Sequence, residues 1–392
     1  MESNPLFNSF IQGGFECSTH IRKDGSRLDL IRSTSHDIYV KDDYLALNSH
    51  GIHTVRDGLR WHLIEHYPGY FDWSSFLPML RAANESDTQV IWDLCHYGWP
   101  DGIDIWKPEF VTHFAKFAKA AAQIIKNETD GIPFYCPINE ISFWSWAGGD
   151  VAYFNPHQYH RGFELKHQLI RATIAAIDAI REVDPRARFI QAEPLINVIP
   201  GIGSIAEAEA YNESQFQAYD MLSGKIWPGL GGQPDMLDII GANYYPYNQW
   251  FLHGDRIDRH HSQYKPLWQM LGELYQRYRK PLFIAETGAE GDERIQWFKY
   301  ILAQVEQCLI KGTPIKGICL YPIVDYPGWD DERHCQTGLL SLVLAKGFRS
   351  HYEPLVEEIR AYQLLNKSVS NINTRTLTKS PITTNQSCSI LS

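Results

Sequence analysis

Two glutamates stand at the ends of short apolar runs. Phe134-Tyr-Cys-Pro-Ile-Asn139-Glu140 reads as a buried strand that stops on an Asn-Glu pair and enters an aromatic loop. Pro281-Leu-Phe-Ile-Ala-Glu286-Thr-Gly288 repeats the arrangement ahead of a long helical pattern. A carboxylate in such a place is costly, because its charge loses hydration. One strand-end glutamate alone is more often a salt-bridge partner or a loop anchor than a catalyst. Two of them suit a reaction in which one carboxylic acid protonates a leaving oxygen while a second carboxylate attacks or activates water, as cleavage of a glycosidic bond requires. In a barrel of parallel strands all C-terminal ends open onto one mouth, so Glu140 and Glu286 would meet there despite their separation in sequence.

The elements that would position them follow from the alternation of apolar runs and helical patterns. Strands are expected at 10–18, 53–61, 89–96, 134–140, 188–194, 237–246, 281–286 and 316–322. Between them fall helical patterns: one opened by Asp72 as N-cap, then 108–126 with Phe110, Phe114, Phe117, Ala121 and Ile124 on one face, 164–183, 212–222, 266–278 and 294–310, with 353–365 closing the series. The strands are apolar without strict alternation, as strands covered on both faces should be. Eight strand-helix units predict an α/β protein with a (β/α)8 TIM barrel as a single domain over 1–366. From Lys367 the composition turns to Ser, Thr and Asn, and 367–392 is expected to be a disordered C-terminal tail. The long segments 141–163 and 322–350 follow strands 4 and 8, on the side where a barrel builds its site.

Composition narrows the function classes. The net charge of −10 and the absence of a Lys/Arg-rich run argue against nucleic acid as a partner. Seven scattered cysteines without a CxxC pair read as reduced, buried thiols and not as a disulfide framework or zinc site. The close pairs His157/His160 and His260/His261 have no acidic or thiol partners at ligand spacing, so no metal is expected. No apolar run is long enough for a membrane span, and a cytoplasmic protein without membrane contact is expected. Aromatic residues make up 13% of the chain, with 12 Trp and 21 Tyr, a surplus that suits a cleft stacking on ring-shaped ligands as well as an aromatic core.

On these residues the chain resembles the retaining β-glycosidases of glycoside hydrolase clan A, family 1 being nearest, over most of residues 7–365. Asn139-Glu140 matches the family's strand 4 ending, and Ile284-Ala-Glu286-Thr-Gly288 matches its strand 7 pattern. Arg56 lies five residues before Trp61 on strand 2, His96 four before Pro100 after strand 3, and Asn243-Tyr-Tyr245 ends strand 6, all as in the family. The resemblance implies hydrolysis of O-glycosidic bonds by double displacement, with Glu140 as general acid/base and Glu286 as nucleophile, and with no cofactor. It also implies that Arg56 and Tyr245 stabilise the Glu286 carboxylate, that Asn139 holds the sugar 2-hydroxyl and His96 a neighbouring one, and that Asn243 belongs to the same site. Trp329, together with Trp99, Trp144 and Trp146, is placed to stack on sugar rings or an aglycone. The partner would be a small glycoside or an oligosaccharide; the oligomeric state is left open. A transglycosidase of the same fold and a non-catalytic sugar-binding barrel are the alternatives.

The departures concern sugar recognition. His20 stands where the family has its strand 1 sugar-binding Gln, Tyr321 where it has a strand 8 Trp, and Gly328 where a Glu holds the far hydroxyls. Weak activity on simple glucosides and galactosides is therefore expected unless another loop supplies a carboxylate.

Overall fold

The eight apolar runs pair in parallel and close on themselves. In the computed structural model, which describes residues 6–201, 203–343 and 347–377 with side chains in the last helix through Asn366, they form β1 (Ile11–Gly14), β2 (Thr54–Gly58), β3 (Gln89–Asp93) and β4 (Phe134–Cys136). The circuit is completed by β5 (Arg188–Pro194), β6 (Ile239–Asn243), β7 (Leu282–Thr287) and β8 (Ile315–Leu320), and β8 pairs with β1 to seal the barrel. Helices cover the outside, so the strands are buried on both faces; most are apolar, while β2 carries the buried Arg56 and Asp57. The result is a single (β/α)8 TIM barrel.

Successive side chains alternate between two cores. Ile91, Phe134, Cys136, Ile190, Ala192, Ile239, Phe283 and Ala285 fill the barrel interior, where Phe7 packs on Phe134 and Phe283 at centroid distances of 5.6 and 5.0 Å. Their neighbours Val90, Trp92, Tyr135, Phe189, Ile240 and Ile284 face outward into the larger core shared with the helices. The helix Pro108–Glu128 contributes Phe110, Phe114, Phe117 and Ala121 to that outer core, with a proline in its first turn where no amide partner is lost.

At β7 the alternation is interrupted, and the interruption positions Glu286. Ala242 of β6 pairs with Ile284, but the next residue, Asn243, pairs with Glu286, so β7 fits one extra residue into the step. Strict alternation would send Glu286 outward with Ile284. The bulge turns it inward beside Asn243 at the mouth, the usual effect of such an insertion on side-chain direction. Gly241 makes this close approach possible, since a Cβ there would stand 2.7 Å from the Ala285 methyl.

Several boundaries differ from expectation. β4 ends at Cys136, because Pro137 has no N–H for the ladder, and the chain reaches Glu140 through single bonds from Asn139 N–H to Cys95 O and from Glu140 N–H to Ala192 O, each 3.0 Å. The helix expected over 212–222 is two helices, Ile205–Ser214 and Gln217–Leu222. Asn212 explains the earlier start: its side chain bonds both the amide and the carbonyl of Val198, tying the first helix to the short parallel pair Asn197–Ile199 and Gln249–Phe251. The final helix runs Glu353–Leu377, so the boundary at Lys367 falls inside it, and the remainder of the proposed tail, 378–392, lies outside the described residues. Among the described residues no helix is long and apolar enough to cross a membrane, and the six cysteines there are free and buried.

Candidate active site

Arg56 organises one half of the mouth. It leaves β2 fully buried, and its Nε and Nη2 donate to the two oxygens of Asp93 on β3 at 2.8 and 2.7 Å. Nη1 donates to Glu286 Oε1 at 2.7 Å and Nη2 to Asn139 Oδ1 at 2.6 Å, so one guanidinium joins strands 2, 3, 4 and 7. The second oxygen of Glu286 accepts from the Tyr245 hydroxyl at 2.8 Å. Burial pushes the Glu286 carboxyl up, and Arg56, His96 and the Tyr245 hydroxyl, which favour the ionised form, offset part of that rise and leave it above the ordinary glutamate range. Arg56→Met should cost about 3–5 kcal/mol of stability, because it strands the buried Asp93 and Glu286 carboxylates without their cation. Urea unfolding measures it; a loss under about 1 kcal/mol would mean that the network does not hold the mouth together.

The other half surrounds Glu140. Its backbone takes the left-handed conformation at φ 44°, uncommon for a residue with a side chain and a recurrent sign of constraint at functional sites. Oε2 accepts from the Tyr97 hydroxyl at 2.5 Å and Oε1 from Asn243 Nδ2 at 2.9 Å. Burial, and then the negative charge of Glu286, outweigh those two donors and push the carboxyl up to about 8. Glu193 adds to the push from behind. It is fully buried at the end of β5, accepts from the Ser142 amide at 2.9 Å, and is itself raised to about 7 by burial.

Asn139 and His96 lie between the two halves. Asn139 Nδ2 contacts His96 Nε2 and the Tyr97 hydroxyl, each at 3.0 Å; the Tyr97 oxygen accepts one amide hydrogen, and the His96 nitrogen accepts the other when the ring is neutral. His96 Nδ1 meets Asp93 Oδ2 at 3.1 Å; burial opposes charge on the ring, but Asp93 and Glu16 outweigh it and the imidazole titrates above its usual range. Cys17 Sγ lies 3.2 Å from the same His96 nitrogen, making Cys17, Asp93 and His96 a buried cluster of metal-ligand types. Both Asp93 oxygens, however, already accept from the Arg56 guanidinium, whose charge would repel a metal cation there.

The cavity at the mouth holds about 570 Å³ and is lined by Glu140, Glu286, His96, Tyr97, Tyr245 and Trp329, among others. Arg56, Asn139 and Asn243 stand behind this lining, fully buried. Of the tryptophans proposed to stack on ligands, Trp329 lines the cavity. Trp144 does not: it is completely buried and its indole N–H donates to Asn155 O at 2.9 Å, fixing the loop. Trp99 packs on Trp144, and Trp146 is exposed beside Phe143, which does line the cavity. His20 is also absent from the lining. It is buried among Phe154, Trp329 and Tyr97, and burial lowers its imidazole to about 3, leaving it neutral. Tyr97 and Glu16 also line the cavity, with Asp93 and Glu193 buried behind it, and none of the four was singled out in the sequence.

No family model and no curated relative matches the chain. Solved structures do match its fold. A β-glucosidase from Thermotoga maritima in complex with deoxynojirimycin superposes with a TM-score of 0.73 at 14% identity, over 90% of this chain and 98% of the other. A family 1 β-glucosidase from Thermotoga maritima gives 0.74 at 14% identity, over 91% and 98%. A hyperthermophilic β-glucosidase mutant gives 0.72 at 16% identity, over 91% and 100%. These likenesses establish a barrel of the kind β-glucosidases use.

Proposed function

We propose that the protein is a retaining β-glycosidase that hydrolyses O-glycosidic bonds by double displacement. The observation that carries the reading is the unequal environment of two buried carboxyls in one cavity: burial raises both, but Glu286 accepts from the Arg56 guanidinium and the Tyr245 hydroxyl, which favour its ionised form, while Glu140, facing the Glu286 charge, is raised to about 8 and so carries a proton at neutral pH. In the first step a Glu286 oxygen forms a bond to the anomeric carbon as the glycosidic bond breaks, and the Glu140 proton passes to the leaving oxygen. In the second, Glu140 takes a proton from water, whose oxygen bonds to the anomeric carbon and releases Glu286. The likeness to β-glucosidases, one of them bound to deoxynojirimycin, supports this choice of chemistry.

Aryl β-glucoside, galactoside, fucoside and xyloside, followed by proton NMR of the first product, test it. Turnover with the β-anomer released first is expected. Initial release of the α-anomer would replace retention by inversion, and no turnover of any β-glycoside would remove the assignment.

A further inference from the structure

Glu16 has no part in the double displacement, yet it lines the cavity beside Glu140 and Glu286 and is buried there, whereas the other two carboxylates of the lining, Asp330 and Asp331, are exposed. It lies two residues beyond β1 and is 8% exposed. Oε1 accepts from the Ser18 amide at 3.1 Å and from the Ser18 hydroxyl at 2.5 Å, while among the described residues no donor reaches Oε2. Its nearest cationic partner is His96, with Nε2 3.9 Å from Oε1. A second unanswered polar group accompanies it: the Tyr321 hydroxyl, on a side chain 2% exposed that also lines the cavity, has no hydrogen-bond partner. Glu16 is close enough that its charge helps keep the Tyr321 and Tyr326 hydroxyls protonated, after burial itself. Gly328, the position at which the resemblance places a sugar-gripping carboxylate, has no side chain to supply one.

We propose that Glu16 is the sugar-gripping carboxylate of this cavity, so that the grip comes from the end of strand 1 and not from the loop after strand 8. With the Tyr321 hydroxyl beside it, Glu16 receives hydrogen bonds from neighbouring hydroxyls of a neutral sugar. An ionised carboxylate only accepts, and its bonds to hydroxyl donors are roughly twice as strong as neutral ones. The same charge, next to Glu286, repels a carboxylate or a phosphate at the position it grips, although Arg256 and Arg333 also line the cavity. This selection of a neutral, hydroxylated sugar rests on the glycosidase reading, but its test does not require turnover.

S-aryl β-thioglycosides of glucose, galactose, fucose and xylose, which resist hydrolysis, are titrated into the wild type and into Glu16→Gln, with the matching thiouronide as the anionic probe. The amide keeps the shape and removes the charge. For the best-bound neutral thioglycoside, affinity should fall about 10- to 100-fold in Glu16→Gln. A deoxy analogue lacking the gripped hydroxyl should bind both proteins equally, and the thiouronide should bind Glu16→Gln better than the wild type. Glu16→Asp, which keeps the charge at a shorter reach, should weaken the neutral ligand and still reject the thiouronide. Equal affinity of wild type and Glu16→Gln for the neutral ligand, or no binding to either, overturns the proposal. Glu16-dependent binding by a wild type that cleaves no O-glycoside would uphold it and overturn the hydrolase reading alone.

Discussion

Glu286→Ala is expected to lower kcat/KM on the order of 10⁵-fold or more for every aryl glycoside, irrespective of the leaving group. Glu286 is the carboxylate whose two oxygens are both taken by stabilising donors, Arg56 Nη1 at 2.7 Å and the Tyr245 hydroxyl at 2.8 Å. Those donors favour the ionised form that an attack on the anomeric carbon needs. A good leaving group cannot help, because the missing event is bond formation and not proton donation. Intact-protein mass after exposure to a 2-deoxy-2-fluoro-glycosyl fluoride gives a direct readout: the wild type should gain the mass of one glycosyl group, and Glu286→Ala none. Glu286→Gln, which preserves the hydrogen-bonding shape around Arg56, separates loss of the nucleophile from collapse of the network. A glycosyl adduct on either variant would place the nucleophile elsewhere.

What could be read from the sequence, and what could not, divides along a physical line. Most of the eight strands were legible because they are short apolar runs bounded by turn residues, and burial on both faces leaves that mark in composition. Glu140 and Glu286 were legible for the opposite reason, as charges at the ends of those runs. Strand register leaves no such mark. The extra residue that β7 inserts opposite Asn243 decides that Glu286 faces the mouth, and nothing in Phe-Ile-Ala-Glu announces it. Tyr97 escaped because it works from a left-handed backbone position, φ 67°, that bulky residues seldom adopt. Asp93 sits inside an apolar strand, where it reads as an isolated polar residue until Arg56 crosses to it. Trp144 was misread because an aromatic in a mouth loop serves equally to pack the loop or to touch a ligand, and only burial distinguishes the two. Glu16 was hidden inside an apolar stretch that looked like one continuous strand, whereas the ladder stops at Gly14 and frees it to enter the cavity.

Glu140→Ala should show a different pattern from Glu286→Ala, and the difference identifies the acid. For glycosides with poor leaving groups, such as alkyl or sugar aglycones, the loss should reach about 10²–10⁴-fold, the usual worth of a positioned proton donor. For dinitrophenyl glycosides, whose leaving oxygen needs no proton, glycosyl-enzyme formation should survive nearly intact and release of the sugar should become the slow step. Azide, which needs no deprotonation to attack, should then speed turnover and yield the β-glycosyl azide. The pH profile gives an independent check. Burial and the Glu286 charge raise Glu140 to about 8, so the competent protonated form predominates below that pH and is lost above it. The wild-type kcat/KM for a poor leaving group should accordingly fall as pH rises through about 8, and this basic limb should be absent in Glu140→Ala. Equal losses in the two variants across all leaving groups, or a basic limb that persists without Glu140, would assign the proton to another group, with Tyr97, whose hydroxyl lies 2.5 Å from Glu140 Oε2, the first to be substituted.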